Sequence, residues 1–349
     1  MKLKVNYLLY VRHVSHSVKK YGHIITTFTT FKRFKSFGNE HFQEHEICIK
    51  TCGNLYRRWR EEKKFSHLPN GDLEFRVKYI DINQNPVLKA RNSMPLVVAI
   101  HGAPGSYRDF SGLAFHLQQK ARIIVPNFPG KFTPEEKAQF LKDFLAAISV
   151  SQIDALVVHS SGIYPGLQLC LDNNLVIKSL IMLCPGTYSY DMKATKHIKC
   201  MRMLVALSEK PLFLKVFQPL TPIILKLAKI PVRVENIWDP LLSMTCVVNG
   251  DVPQAKEKFH TLAQRGFPML YAFSKDDKLI GKEMSYNLAY LLGASDADIH
   301  TYDKDGNITN KGKENSPLKV MVFESGSHYV FWKHPDIIYK AIEEFMEKL

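Results

Sequence analysis

Several features that would place this chain in a specialised class of protein are missing from its sequence. No apolar run approaches the eighteen or so residues of a membrane-spanning helix, because Pro, Lys or Gln interrupts each candidate. The six cysteines form no CxxC pair and match no histidine spacing, which indicates neither a zinc site nor a disulfide framework. No low-complexity period or internal repeat occurs. The composition, 46% hydrophobic and 23% charged, is that of an ordinary globular protein with a sizeable core.

Acidic residues are absent from the first 39 positions, which carry eight Lys or Arg. Without that segment the net charge falls from +14 to +6, so the sequence predicts no specific nucleic-acid surface on a folded domain. The composition fits an organellar transit peptide and equally a basic tail, and the apolar run at residues 7–11 is too short for a secretory signal. We expect an intracellular protein, cytoplasmic or mitochondrial, with residues 1–39 as an N-terminal extension.

From about residue 95, short apolar runs alternate with helical patterns. This alternation predicts an α/β fold with a mostly parallel central sheet flanked by helices. Residues 40–186 and 267–349 are expected to form this core, and residues 335–349 a closing helix. The segment at 303–317 is polar and predicts an exposed loop. The predicted strands are 95–100, 122–125, 155–158, 178–183, 268–273 and 318–323.

The alternation stops between residues 187 and 266, where a helical stretch with prolines at 211, 219, 222, 231 and 240 predicts a lid inserted after the sixth strand. Within it, residues 191–235 contain nine Lys or Arg against three acids, mixed with large apolar side chains. Such a surface suits an acyl chain, an anionic headgroup or peripheral contact with a membrane. The alternative is that the apolar stripe packs on the core and the lysines are simply solvated.

Four short motifs each follow a predicted strand at its carboxyl end, where open parallel sheets bind their ligands. They are HGAPGS at 101–106, VHSSG at 158–162, SKDDKLI at 274–280 and ESGSH at 324–328. Ser160, an aspartate and His328 therefore occur in the order nucleophile, acid, base. Asp276 and Asp277 are both candidates for the acid, and Asp277 is favoured because Leu279 and Ile280 follow it at the usual interval.

Together the four motifs resemble the α/β-hydrolase superfamily, and HGAPGSYRDF and VVHSSG resemble a poorly characterised α/β-hydrolase family described mainly from nematodes. The resemblance implies that Ser160 is the nucleophile, that His328 is the general base and acid, and that Asp277 orients it. The backbone amides of Ala103 and Ser161 would form the oxyanion hole. No metal or other cofactor is implied.

The resemblance implies a serine hydrolase that cleaves an ester, thioester or related carbonyl of a small or lipid-like acyl substrate through an acyl-enzyme. One departure matters, because Val158 stands where the GxSxG pattern has glycine. If Val158 prevents the turn from closing, the alternative is a catalytically inactive α/β-hydrolase fold that binds a lipid or protein partner.

Overall fold

The computed structural model describes residues 44–63, 68–82, 94–129, 132–189, 198–199, 201–203, 205–206, 244–249, 252–314 and 316–349. The N-terminal extension predicted at residues 1–39 lies outside these ranges. So does the greater part of the lid predicted at residues 187–266, including most of its basic stretch.

Strands make up the centre of the described part. In chain order they are β1 (Glu44–Thr51), β2 (Leu73–Ile82), β3 (Leu96–Ile100), β4 (Arg122–Pro126), β5 (Gln152–Ile153), β6 (Ala155–His159), β7 (Val176–Ile177), β8 (Leu180–Leu183), β9 (Met269–Ser274), β10 (Ile299–Tyr302), β11 (Ile308–Asn310) and β12 (Leu318–Phe323). Ten of them form one sheet in the order β1-β2-β4-β3-β6-β8-β9-β12-β10-β11, while β5 and β7 form a separate parallel pair.

The middle of the large sheet is parallel and its two ends are antiparallel. Every neighbouring pair from β4 to β10 in the sheet order runs parallel. The antiparallel pairs are β1 with β2, β2 with β4, and β10 with β11. The six predicted runs are β3, β4, β6, β8, β9 and β12, so the prediction of a mostly parallel sheet is confirmed.

Helices cover both faces of the sheet. They are α1 (Gly53–Glu61), α2 (Ser111–Leu117), α3 (Pro134–Ala147), α4 (Ile163–Cys170), α5 (Thr245–Val248), α6 (Val252–Gln264), α7 (Lys282–Leu291), α8 (Val330–Lys333) and α9 (Pro335–Met346). Successive residues of a strand point to opposite faces. On β3, Val98 and Ile100 therefore pack with α1, α3, α4, α6 and α7, whereas Val97 and Ala99 pack with α2, α8 and α9. A strand buried on both faces has to be apolar throughout, which is why these runs are continuous.

The start of α3 follows directly from its sequence. Thr133 Oγ1 accepts a hydrogen bond from the Glu136 N–H at 3.2 Å, and the Glu136 carboxylate accepts one from the Thr133 N–H at 2.8 Å. Pro134 occupies the first helical position, where no N–H is needed. This reciprocal cap fixes where α3 begins after β4.

Two parts of the fold differ from the sequence expectation or add to it. The polar segment 303–317 is not all loop, because β11 pairs with β10 there although all three of its residues are exposed. The helix α6 falls inside the range predicted as lid, and its Phe259 and Leu262 are buried in the same cluster as the core. In the ranges described, no helix combines the length and the apolarity needed to cross a bilayer.

Candidate active site

Ser160 stands at a sharp turn between β6 and α4. Its φ angle is 52°, in the left-handed region that side chains other than glycine rarely adopt. Close packing holds the turn: a Cβ on Gly162 would lie 2.7 Å from the Ile100 carbonyl oxygen, and one on Gly102 would lie 2.6 Å from Ser160 Cβ. Strain of this kind persists only where the surroundings over-determine the backbone, and it clusters at functional sites.

Val158 does not prevent this turn from forming. It is fully buried, and a Cβ on Gly166 of α4 would lie only 2.9 Å from its Cγ1. The volume that valine adds to the strand is therefore matched by a glycine on the helix that packs across it. Pro165 lies in the first turn of α4, where a missing N–H breaks no helical hydrogen bond. The backbone thus adopts the strained turn with valine in place.

Ser160, His328 and Asp277 form a continuous hydrogen-bonded chain. His328 Nε2 lies 2.8 Å from Ser160 Oγ, and His328 Nδ1 lies 2.7 Å from Asp277 Oδ2. His328 and Asp277 are buried, while the Ser160 side is partly exposed. With Asp277 accepting the Nδ1 proton, the other ring nitrogen is free to accept the hydroxyl proton of Ser160. The three residues are therefore arranged for proton transfer from serine to imidazole.

Asp277 is itself held in place by its own loop. The N–H groups of Leu279 and Ile280 donate to Asp277 Oδ1 at 2.8 and 3.1 Å, which leaves Oδ2 for the imidazole. Among the two aspartates that the sequence offered, only Asp277 contacts His328.

Asp276 has a different position and role. Its carboxylate accepts hydrogen bonds from the Gly326 and Ser327 N–H groups, at 2.9 and 2.7 Å, and from the Ser274 hydroxyl. Partial burial opposes ionisation, but these hydrogen bonds outweigh it and lower the pKa of Asp276 below its ordinary value. Asp276 therefore fixes the loop that carries the histidine without touching the imidazole.

The turn after β3 lies against Ser160, as its predicted role in an oxyanion hole requires. His101 Nδ1–H donates to the Gly102 carbonyl at 2.8 Å, and its Nε2 accepts from the Phe128 N–H at 3.4 Å. Burial, reinforced by the charge of Lys137, lowers the pKa of His101 to about 3, so the ring is neutral and structural. Ser161 lies in the single helical turn formed by Ser160–Gly162, where backbone N–H groups have no partner inside the turn. Ser161 and the Gly102 backbone are therefore both adjacent to Ser160, and the role of the Ala103 and Ser161 amides in an oxyanion hole stays a prediction.

His159 is a neighbour of the site that the sequence did not single out. Its Nε2–H donates to the backbone carbonyl of His328 at 3.0 Å, and its ring lies 5.0 Å from that of His328. Burial, and then the nearby His328, hold the pKa of His159 well below its ordinary value, so it stays neutral. The sequence shows that His159 precedes the serine in VHSSG, but it could not show that its hydrogen-bond partner is His328, 169 residues away.

In the described ranges, the thiols of Cys246 and Cys184 donate to the Ser161 and Ser327 carbonyls, and no thiol is hydrogen-bonded to the side chains of Ser160, His328 or Asp277. The five cysteines of the described ranges are free, and burial raises the pKa of Cys170 and Cys184. Within the same ranges, no group of three His, Cys, Asp or Glu residues is placed to hold a metal ion.

Comparison with known proteins gives one family and many structural neighbours. Residues 49–347 match the model of a family described as "Alpha/beta hydrolase of unknown function (DUF1057)". An uncharacterized protein of Caenorhabditis elegans, F35H12.5, is 20% identical over 216 residues, which are 57% of this chain and 56% of the relative. The chain thus spans little more than half the length of that relative.

Solved structures with the same fold have low sequence identity to this chain. A thermophilic esterase from Thermogutta terrifontis is 14% identical with a TM-score of 0.56, over 87% of this chain and 98% of the esterase. The haloalkane dehalogenase DbeA from Bradyrhizobium elkani is 13% identical with a TM-score of 0.57, over 78% and 94%. A mutant of the meta-cleavage product hydrolase CumD is 14% identical with a TM-score of 0.52, over 78% and 95%. At these identities the likeness establishes the fold and leaves the chemistry to the residues of the site.

Proposed function

Since the chain belongs to the family of alpha/beta hydrolases of unknown function, we propose that it is a serine hydrolase that cleaves carboxylic esters or related carbonyl compounds. The observation that carries this proposal is the hydrogen-bonded chain from Ser160 Oγ through His328 to Asp277, at 2.8 and 2.7 Å. A serine hydroxyl is a weak nucleophile unless a base removes its proton, and here a base lies within hydrogen-bonding distance.

In the first half of the reaction, Ser160 Oγ attacks the carbonyl carbon while His328 Nε2 takes the hydroxyl proton. Asp277 accepts the Nδ1–H and stabilises the imidazolium that forms. The negative charge moves to the carbonyl oxygen, which in this proposal accepts hydrogen bonds from the Ala103 and Ser161 amides. When the tetrahedral intermediate collapses, His328 returns its proton to the leaving alcohol, and Ser160 carries the acyl group.

In the second half, water attacks the acyl-enzyme. His328 takes one proton from the water and passes it to Ser160 Oγ as the carbon–oxygen bond to the serine breaks. The products are a carboxylic acid and the free enzyme. The neutral state of His159 and His101 favours this cycle, because a second cation beside His328 would disfavour the imidazolium.

The proposal includes small or lipid-like acyl substrates. Its support is the mixture of basic and large apolar residues at 191–235, most of which lies outside the described ranges. Peripheral contact between this stretch and an anionic membrane belongs to the same proposal.

The direct test is hydrolysis of 4-nitrophenyl esters with acyl chains of graded length by the purified protein. We expect turnover with an acyl adduct detectable by intact mass, and a loss of about a thousandfold or more in Ser160→Ala and His328→Ala. Ser151→Ala, at an exposed serine, is the matched control and should keep full activity. Equal activity in Ser160→Ala would refute the proposal, and a folded but inert protein would favour the non-catalytic binding protein instead.

A further inference from the structure

His159 contacts the backbone of His328 from the position next to the nucleophile. A carbonyl oxygen can only accept a hydrogen bond, so the His328 carbonyl, 3.0 Å from His159 Nε2, requires that this nitrogen carry the proton. The next residue, Ser160, contacts the imidazole of the same histidine, with its Oγ 2.8 Å from His328 Nε2. Two consecutive residues of the serine turn therefore hold both the backbone and the side chain of His328.

The backbone that His159 holds has an unfavourable conformation. Ser327, directly before the histidine, has a φ angle of 56°, in the left-handed region. Such a conformation persists only where its surroundings over-determine it. On the amino side, the Ser327 N–H donates to Asp276 Oδ1 at 2.7 Å, and on the carboxyl side His159 donates to the His328 carbonyl. These two hydrogen bonds enclose the strained residue.

Of these two hydrogen bonds, the one from His159 relates the histidine loop to the serine turn. Asp276 and Asp277 both follow β9, so their bonds would keep His328 beside its acid even if the two loops moved away from Ser160 together. The bond from His159 begins one residue from the nucleophile and ends on the histidine itself. It is therefore placed to set the distance between Ser160 Oγ and His328 Nε2.

A second connection between the same two loops runs through the segment after β8. The Cys184 thiol donates to the Ser327 carbonyl at 3.8 Å, and the Gly186 N–H donates to the Ser160 carbonyl at 2.9 Å. A thiol is a weak donor compared with an imidazole N–H. This longer route is therefore a weaker connection than the direct bond from His159.

The surroundings of the His159 ring point to the same role. The ring centres of Tyr329 and Phe331 lie 4.6 and 5.1 Å from it, so the pocket is aromatic. Its Nδ1 is buried and has no hydrogen-bond partner among the residues described, which is unfavourable for stability. A hydrocarbon ring would leave no such atom unsatisfied. What histidine adds at this place is the single donor that reaches His328.

We propose that His159 is a positioning residue for the hydrolysis, whose hydrogen bond to the His328 backbone keeps the imidazole within reach of the Ser160 hydroxyl. The inference rests on the proposed function and adds to it a residue that acts through His328 and itself transfers no proton. Its effect on the rate is large because a misplacement of about 1 Å costs about a hundredfold.

The test compares two substitutions in the full-length protein. His159→Phe keeps an aromatic ring and removes the donor, whereas His159→Gln removes the ring and supplies an amide donor of similar reach. With the 4-nitrophenyl ester that is turned over fastest, kcat should fall about tenfold to a hundredfold in His159→Phe with KM unchanged. In His159→Gln it should recover to within about threefold of the unsubstituted protein. His159→Met, which also lacks a donor, replaces His159→Phe if phenylalanine prevents folding.

Ser179→Ala is the matched control for lost stability. Ser179 is buried directly before β8, at the opposite edge of the sheet from Ser160, and its hydroxyl donates to the Asp154 carbonyl at 2.8 Å. This variant also loses one side-chain hydrogen bond to a backbone carbonyl, but it should keep the kcat of the unsubstituted protein. An equal loss of kcat in Ser179→Ala and His159→Phe would show that destabilisation, and not positioning, lowers the rate.

Crystal structures of the His159 variants separate this inference from the proposed function, because they require no activity. The distance from Ser160 Oγ to His328 Nε2 should lengthen beyond about 3.5 Å in His159→Phe and stay short in His159→Gln. An unchanged distance in His159→Phe would overturn the inference whatever the rate, and so would a His159→Gln protein as slow as His159→Phe. A lengthened distance in a protein that hydrolyses no ester would support the positioning role and contradict the hydrolase.

Discussion

The two loops that bring Ser160 and His328 together are held in place by different forces. The serine turn is fixed by volume: Gly162 lies against the Ile100 carbonyl, and Gly166 lies against Val158. The histidine loop is fixed by hydrogen bonds, from the Gly326 and Ser327 amides to Asp276 and from His159 to the His328 carbonyl.

This difference determines what each loop tolerates. Adding a single methyl group to a packed turn is costly at every pH, because steric overlap between atoms does not depend on protonation. A hydrogen-bonded loop also responds to titration, because its carboxylate and imidazole groups change their protonation state. Substitutions in the two loops should therefore separate support by packing from support by hydrogen bonds.

Exchanging each aspartate for asparagine should separate the residue that contacts the imidazole from the one that holds its loop. Asp277→Asn presents an amide to His328 Nδ1 and favours the wrong tautomer, so the rate of ester hydrolysis should fall about ten-thousandfold. Asp276→Asn keeps the imidazole contact and should cost no more than about tenfold. Steady-state kinetics of both variants checks this order, and a larger loss in Asp276→Asn would contradict the assignment.

Adding a methyl group at Gly162 should break the packed turn. Its Cβ would lie 2.7 Å from the Ile100 carbonyl oxygen, which belongs to the central strand and cannot move away easily. We expect Gly162→Ala to lower the free energy of unfolding by about 2 to 3 kcal/mol, measured by urea denaturation. Gly71→Ala is the matched control, since nothing lies within 4 Å of its Cβ. A Gly162→Ala protein as stable as this control would show that packing does not fix the turn.

The pairing of Val158 with Gly166 predicts a compensating double substitution. Gly166→Ala alone should destabilise the protein by about 1 to 2 kcal/mol, since its methyl meets Val158 Cγ1 at 2.9 Å. Val158→Ala removes that methyl group from the strand, so the double variant should be more stable than the sum of the two single effects by about 1 kcal/mol. Additive effects in the urea denaturation of all four proteins would mean that the two residues do not share this space.

His159 should make the protein less stable in acid. Its pKa is lowered in the folded state, so below about pH 6.5 the unfolded chain binds a proton that the folded chain does not, and stability falls as the pH falls. His159→Phe should cost about 1 kcal/mol at pH 7 through the lost hydrogen bond to His328. It should also make the decline in stability as the pH falls below about 6.5 shallower.

Urea denaturation at each pH measures this slope, with His260→Gln at an exposed histidine as the control. An unchanged slope in His159→Phe would mean that His159 is protonated in the folded protein.

Much of the fold could be predicted because the central strands are buried on both faces and therefore read as unbroken apolar runs. The strands β1 and β2 were not predicted, because they alternate exposed charged residues with partly buried ones, whereas the prediction rested on unbroken apolar runs. The short strand β11 is fully exposed and has no apolar pattern at all.

For the site, the chain order of Ser160, Asp277 and His328 was visible because each follows a strand at the same edge of the sheet. Their catalytic roles stay a prediction, although the structure brings the three within hydrogen-bonding distance. The sequence could not show that Gly166 makes room for Val158, or that His159 meets His328. Both relations join residues through the folded core, where spacing along the chain carries no information.

The measurement that tests the central claim most directly is labelling of the folded protein with a fluorophosphonate, followed by tandem mass spectrometry to locate the adduct. Such a probe reacts only with a serine whose hydroxyl is activated and whose oxyanion is stabilised. We expect one adduct, on Ser160, formed more slowly by at least about a thousandfold in His328→Ala. A folded protein that stays unlabelled at Ser160, or that is labelled equally in His328→Ala, would contradict the account.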